Sequence, residues 1–253
     1  MDITITTYLI VCPLLFLGGF VDAIGGGGGL ITLPAYLLAG LPMHQAIATN
    51  KLSSACGTTL ATMRFIKNGL LNLKFAIPSV ISAIVGSSIG AKLSLLTDEG
   101  LMEKLLFIVL PIAAFIVLNK NLFKDKEEAS LTLNAKTYFV SVMAALIIGM
   151  YDGFYGPGTG TFLIIAFTVW GKMNVSTANA QAKAINLTTN LTSFTIFLLN
   201  GQVLFSLGIA GAICNMIGGY LGAGLVIQKG SKIVKPVILF VLFLLFLKIL
   251  GIF

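Results

Sequence analysis

Of the nine acidic residues in this chain of 253, only Asp22 and Asp152 stand deep in apolar sequence. An ionised carboxylate in apolar surroundings is costly, so it persists for a reason. It can cap backbone N–H groups, exchange a proton, hold a cation, or orient a neighbouring loop. Lys51 and Lys183 are the matching cations. Each lies roughly two turns into its predicted helix, about 10 Å from the end. Such a lysine either snorkels to an interface or presents positive charge to a central cavity. Glycine runs follow both aspartates: Gly25 to Gly29, which includes Gly26, Gly27 and Gly28, and Gly156-Pro157-Gly158. Consecutive glycines resist helix and proline interrupts the backbone ladder, so each run predicts a discontinuous helix. The new helix start would expose N–H groups and a positive dipole end, the chemistry that binds an anion. Close helix packing is the simpler use of the same glycines. A dinucleotide fingerprint is excluded, because nothing resembles a strand opening a soluble βαβ unit. Polar side chains gather beside each lysine. Thr49, Asn50, Ser53, Ser54, Thr58 and Thr59 lie in the first half; Gln181, Asn186, Thr188, Thr189, Asn190 and Thr192 lie in the second. They can bond an anion's oxygens or link neighbouring helices.

The elements that hold these residues must be membrane helices. The chain is 57% hydrophobic and 10% charged, whereas a soluble domain carries about 25% charged residues. Lipid is the solvent such a surface tolerates. Residues 1–253 therefore read as one all-α membrane domain, multi-pass, in the cytoplasmic membrane. The net charge of +7 falls between apolar runs, as in cytoplasmic loops, so no nucleic-acid partner is expected. Cys12, Cys56 and Cys214 are scattered in apolar segments and imply no disulfide framework. One histidine, His44, provides no metal cluster, and no cofactor is expected. Residues 1–7 lack the basic start of a cleaved signal peptide. Gly86–Gly90 and Gly218–Gly222 are GxxxG pairs read as packing surfaces, and the aromatic residues read as lipid-facing or interfacial.

The chain also repeats itself. GFVD at 19–22 and GMYD at 149–152 lie 130 residues apart (152 − 22). From Lys51 onward the offset is 132 (183 − 51), and it pairs Phe65 with Phe197 and Asn68-Gly69 with Asn200-Gly201. VGSSIGA at 85–91 pairs with IGGYLGA at 217–223 at the same offset. Two repeats of four to five helices, about 8–119 and 137–253, follow. Apolar runs cover roughly 8–24, 29–41, 44–66, 74–97, 102–119, 137–153, 158–170, 177–199, 203–228 and 233–253. A span needs about 20 residues, so 29–41 and 158–170 are short helices after a break. Loops 64–74, 120–136 and 229–235 are rich in basic residues and read as inside; 98–103 and 199–204 are not and read as outside. Corresponding loops thus fall on opposite sides, which favours an inverted repeat. Parallel repeats of four ordinary crossings each are the alternative.

With GGFVDAIGGGGGLITLP at 18–34, ATNK at 48–51, GMYDGFYGPGTGTFL at 149–163 and AQAKAINLTTNLTSF at 180–194, the chain resembles the TauE/SafE family of sulfite exporters. The likeness runs from about Leu9 to Phe253. It implies a duplicated transporter of small sulfur-containing anions such as sulfite, thiosulfate or sulfonates. By motif position the resemblance implies a role for Asp22, Gly26 to Gly28, Asn50 and Lys51. In the second half it implies one for Asp152, Gly156, Pro157, Gly158 and Lys183. Ala182 stands where the first half has Asn50, with Asn186 one turn on as its substitute, and Asn190 a turn further. The expected function is secondary transport of such an anion, with proton coupling through Asp22 or Asp152 and a homo-oligomer left open. A passive anion channel is the main rival, ahead of a subunit dependent on another protein. A membrane-embedded enzyme would need a nucleophile–base pair or metal ligands that the sequence does not offer.

Overall fold

The computed structural model describes residues 4–102, 104, 134–230, 232–234 and 236–237; the apolar runs predicted at 102–119 and 233–253 lie almost wholly outside them. The described residues form α1 (Ile5–Gly25), α2 (Gly29–Leu38), α3 (Met43–Lys67), α4 (Leu73–Leu96), α5 (Ala135–Phe154), α6 (Thr159–Val169), α7 (Val175–Leu199) and α8 (Phe205–Lys229), and no strand. Four of them, α1, α4, α5 and α8, are long and apolar enough to cross a membrane, with 20 to 25 residues each. The short helices α2 and α6 have 10 and 11 residues and reach only about 15 Å.

Both breaks occur where the glycines predict them. Gly26 (φ 78°) ends α1 in the left-handed region, and Gly156 (φ 100°) and Gly158 (φ 85°) do so between α5 and α6. Asparagines start three of the long helices. The Oδ1 atoms of Asn72, Asn134 and Asn174 accept from the N–H groups of Phe75, Thr137 and Thr177, satisfying donors that a helix start leaves open.

Helices α3 and α7 are 25 residues long, but their inner faces are polar: Thr49, Asn50, Lys51, Ser53, Thr58 and Thr62 are buried on α3, as are Gln181, Lys183, Asn186, Thr189 and Asn190 on α7. They cross each other inside the bundle, and the apolar helices pack around them: α8 on α3, α4 on α7.

Small residues set the direction of packing. Between α4 and α5, Ser79 bonds Ser141 at 2.6 Å and Ser82 bonds the Val142 carbonyl at 2.9 Å. Further on, Gly86 lies against the Leu146 carbonyl and Gly90 against that of Met150. Residue numbers rise together, so α4 and α5 run the same way. Likewise α1 and α8 run together: Asn215 donates to the Leu15 carbonyl, Gly218 meets that of Phe16 and Gly222 that of Phe20. Helices α3 and α8 also agree, from Thr49 at Leu204 to Arg64 at Tyr220. So do α4 and α7: Gln181 bonds the Asn72 carbonyl, and Gly149 touches both Ala83 and Thr189. In contrast, Thr62 of α3 donates to the Lys183 carbonyl of α7, while Lys51 reaches Asp152, one turn from the Gly149 that touches Thr189. Numbers there move oppositely, so α3 and α7 are antiparallel. Helices α1, α3 and α8 point one way and α4, α5 and α7 the other.

The GxxxG pairs are packing surfaces, as read from the sequence. A side chain at Gly90 would collide with the Met150 carbonyl and the Phe154 N–H. Gly90→Leu should therefore lower the thermal unfolding temperature of the detergent-purified protein by several degrees, the effect of forcing apart two packed backbones. An unchanged transition would mean that α4 and α5 do not pack this way. The aromatic expectation needs correction. Tyr36, Phe65, Phe75, Phe167 and Phe197 are fully buried among packed helices, Phe75 with its ring 4.9 Å from that of Tyr138, whereas Phe139, Trp170, Phe205 and Tyr220 are exposed. The cysteines, scattered in sequence, are not all apart in space: the thiols of Cys12 and Cys214 meet between α1 and α8.

Candidate functional site

The two glycine breaks touch each other. Gly26 abuts the backbone of Gly160 and Thr161, and Gly29 faces Pro157 with 3.1 Å between a would-be Cβ and the proline Cα. Breaking α1 frees carbonyls that water would satisfy elsewhere. Here Thr161 supplies its hydroxyl to the Gly25 carbonyl (2.7 Å) and its N–H to that of Gly26 (3.3 Å). Asn179 donates to the carbonyls of Ala23 (3.1 Å) and Ile24 (3.0 Å).

Two ion pairs flank this crossing, and each joins the two halves of the chain. Lys183 Nζ on α7 donates to Asp22 Oδ2 on α1 at 2.6 Å, and Lys51 Nζ on α3 lies 2.9 Å from Asp152 Oδ2 on α5. The lysines are shielded from solvent, at 2% (Lys51) and 0% (Lys183) side-chain exposure. At this depth an ammonium is costly to desolvate, and an opposite charge within contact offsets part of that cost. Each carboxylate has a second contact. Asp22 Oδ1 receives the Gly28 N–H at 3.4 Å, and Asp152 Oδ1 receives the Thr159 hydroxyl at 2.7 Å. Asp152 Oδ2 takes no aligned hydrogen bond among the described residues, so its contact with Lys51 is a charge contact. Gly156 makes room for this pair: a Cβ there would be 2.9 Å from Asp152 Oδ1 and 3.0 Å from Lys51 Nζ.

The predicted site residues are therefore partly gathered. Asp22, Gly28 and Lys183 form one group, and Lys51, Asp152 and Gly156 the other, with Gly26 and Pro157 at the crossing between them. Gly27 and Gly158 serve the new helix starts, accepting from Leu30 and Phe162. Asn50, Asn186 and Asn190 are buried, and their side chains bond within their own helices. Ser54 donates to Asn50 Oδ1, and Asn190 Nδ2 to Asn186 Oδ1 at 2.5 Å. Asn186 Oδ1, like Asn50 Oδ1, accepts from the side chain one turn further along its own helix. Sequence reasoning missed Thr159, Thr161 and Asn179. For the two threonines the signal was a polar side chain in apolar sequence just after a break, where freed backbone groups need partners; Asn179, on α7, carried no such signal.

The site holds two buried, formally neutral Lys–Asp pairs beside discontinuous helices. Such a pair can release a lysine toward an anion when its carboxylate is protonated or displaced. A model of the family described as sulfite exporter TauE/SafE matches residues 11–249. A probable membrane transporter protein of Haemophilus influenzae is 34% identical, covering 97% of this chain and 95% of its own. The probable membrane transporter protein ORF9 of a Sinorhizobium species is 33% identical, covering 93% and 89%. The probable membrane transporter protein YfcA of Escherichia coli K12 is 32% identical, covering 94% and 90%. No solved structure matches. With membrane-length helices, broken helices meeting at buried ion pairs, and a family match across nearly its whole length, the chain belongs to the sulfite exporter TauE/SafE family of membrane transporters.

Proposed function

We propose that the chain is a secondary transporter of a small sulfur-containing oxyanion, built as an inverted repeat, with its site at the crossing of the two broken helices. The observation that carries this reading is that each buried lysine takes its counter-charge from the other half. Movement of one half against the other then breaks or makes both pairs, which couples site chemistry to rearrangement. The opposite directions of α1 and α5, of α3 and α7, and of α4 and α8 support inversion. So does the pairing pattern, in which α4 on α5 has its counterpart in α8 on α1. Inverted repeats with broken helices at matching places are a recurrent transporter design.

Charge supports an orientation in the cytoplasmic membrane. The bundle end where α3 and α8 finish and α4, α5 and α7 begin carries Arg64, Lys67, Lys74, Lys136, Lys172, Lys229 and Lys232, with no acid among the described residues. The other end carries Lys92, Lys104, Asp98 and Glu99. The basic end is cytoplasmic on this reading. It makes Asp22–Lys183 the pair on the cytoplasmic side of the crossing and Lys51–Asp152 the pair on the external side.

The pairs also suggest how a proton and an anion would travel together. A bound oxyanion competes with the carboxylate for the lysine. Protonating that aspartate removes the competitor and keeps the site's net charge balanced. The purified chain in liposomes should therefore accumulate sulfite, thiosulfate or a sulfonate against its gradient when a pH gradient is imposed. Flux that only runs downhill, and ignores the pH gradient, would make the chain a channel instead.

A further inference from the structure

The two ion pairs match in sequence position but differ in environment. Asp22 has 18% of its side chain exposed and Asp152 has 3%. The Thr159 hydroxyl lies 2.7 Å from both Asp152 Oδ1 and the Gly156 carbonyl, and donating its one proton to the charged carboxylate braces Asp152. At the repeat offset of 130 (159 − 29), the residue standing for Thr159 in the first half is Gly29, which has no side chain to offer. Asp22 instead has the longer Gly28 N–H contact at 3.4 Å. Other charges near Asp22 are few among the described residues. Helix α7 brings Lys183, α3 brings Lys51 at longer range, and α5 brings Asp152 beyond it. The titratable groups of α2 and α8 closest to α1, Tyr36 and Cys214, gather around Cys12, ten residues before Asp22 (22 − 12).

We infer that the half-sites have divided their labour: Asp22 is the carboxylate that exchanges protons and yields Lys183 to the anion, while Asp152, braced by Thr159, is a latch that holds the crossing closed through Lys51. Thr159 is a positioning residue, since it acts through Asp152. This inference rests on the transport reading for what Asp22 does. The inequality of the carboxylates rests on geometry alone. A carboxylate that must trade partners needs an open side and weak secondary contacts. A latch needs neither, and a second strong hydrogen bond raises the cost of releasing it.

Dicyclohexylcarbodiimide, an apolar electrophile to which protonated carboxyl groups within membranes add, reads this inequality without any transported substrate. The purified chain in liposomes is treated with it across a pH series, and labelled peptides are measured by mass spectrometry. Asp22 should label at least tenfold faster than Asp152, with a rate that rises as pH falls. Thr159→Val should raise labelling of Asp152 several-fold and leave that of Asp22 unchanged. Equal labelling of the two aspartates, faster labelling of Asp152, or a Thr159→Val variant that labels like the parent would each overturn the division. Unequal labelling in a chain that moves no anion would instead count against the transport reading, leaving the inequality standing.

Discussion

Lys51→Met should lower the unfolding free energy by about 3–5 kcal/mol, because it leaves the Asp152 carboxylate buried at 3% exposure with no counter-charge. The thermal transition of the detergent-purified protein is the readout, and anion flux should vanish with it. Adding Asp152→Leu should restore most of the lost stability, since removing both charges removes the uncompensated one. Flux should stay absent, because the buried cation and the carboxylate that latches it are both gone from that side. Lys183→Met should abolish flux too but cost less stability. Asp22 is 18% exposed, so its stranded charge keeps part of its solvation. If Lys51→Met melts like the parent, or if the double variant transports, the buried pair has neither the structural nor the functional weight assigned to it.

Gly26→Ala should be among the most damaging single-methyl additions in the chain. Gly26 sits at φ 78°, which alone costs alanine about 1–2 kcal/mol. Its would-be Cβ also meets the backbone of Gly160 and Thr161, neither of which can rotate away. The crossing must then open, with loss of the Thr161 bonds to the carbonyls of Gly25 and Gly26. Gly69→Ala is the internal control. Gly69 has a similar φ of 69° but, among the described residues, nothing within 4 Å of the added atom, so it should show the conformational cost alone. Comparing the two transitions by thermal unfolding isolates the packing term. Similar losses at the two positions would show that the breaks do not touch.

Much of the framework was legible from the residues. Runs of apolar sequence placed the long helices because a bilayer demands about 20 residues and tolerates few charges. The glycine runs marked the breaks at Gly26 and Gly156 because few other residues adopt left-handed backbone without strain. Asp22, Asp152, Lys51 and Lys183 stood out because charge in apolar sequence is costly. The GxxxG pairs announced close helix contact because only glycine lets two backbones approach so nearly. Local chemistry was enough for each of these readings.

Pairing was decided elsewhere. Nothing local links Lys183 to Asp22, 161 residues away, or Lys51 to Asp152. That match depends on how α3 and α7 cross and on how the two breaks meet, and both are set by shape complementarity summed over the bundle. The same holds for Thr159, Thr161 and Asn179, ordinary polar residues until the fold brings freed carbonyls and a carboxylate beside them. Burial separates Asp22 from Asp152 for the same reason. Both stand before a glycine-rich run, and Gly29 against Thr159 is a difference the sequence shows, but solvent access is a property of what packs around a residue, so their unequal exposure was decided by the tertiary structure.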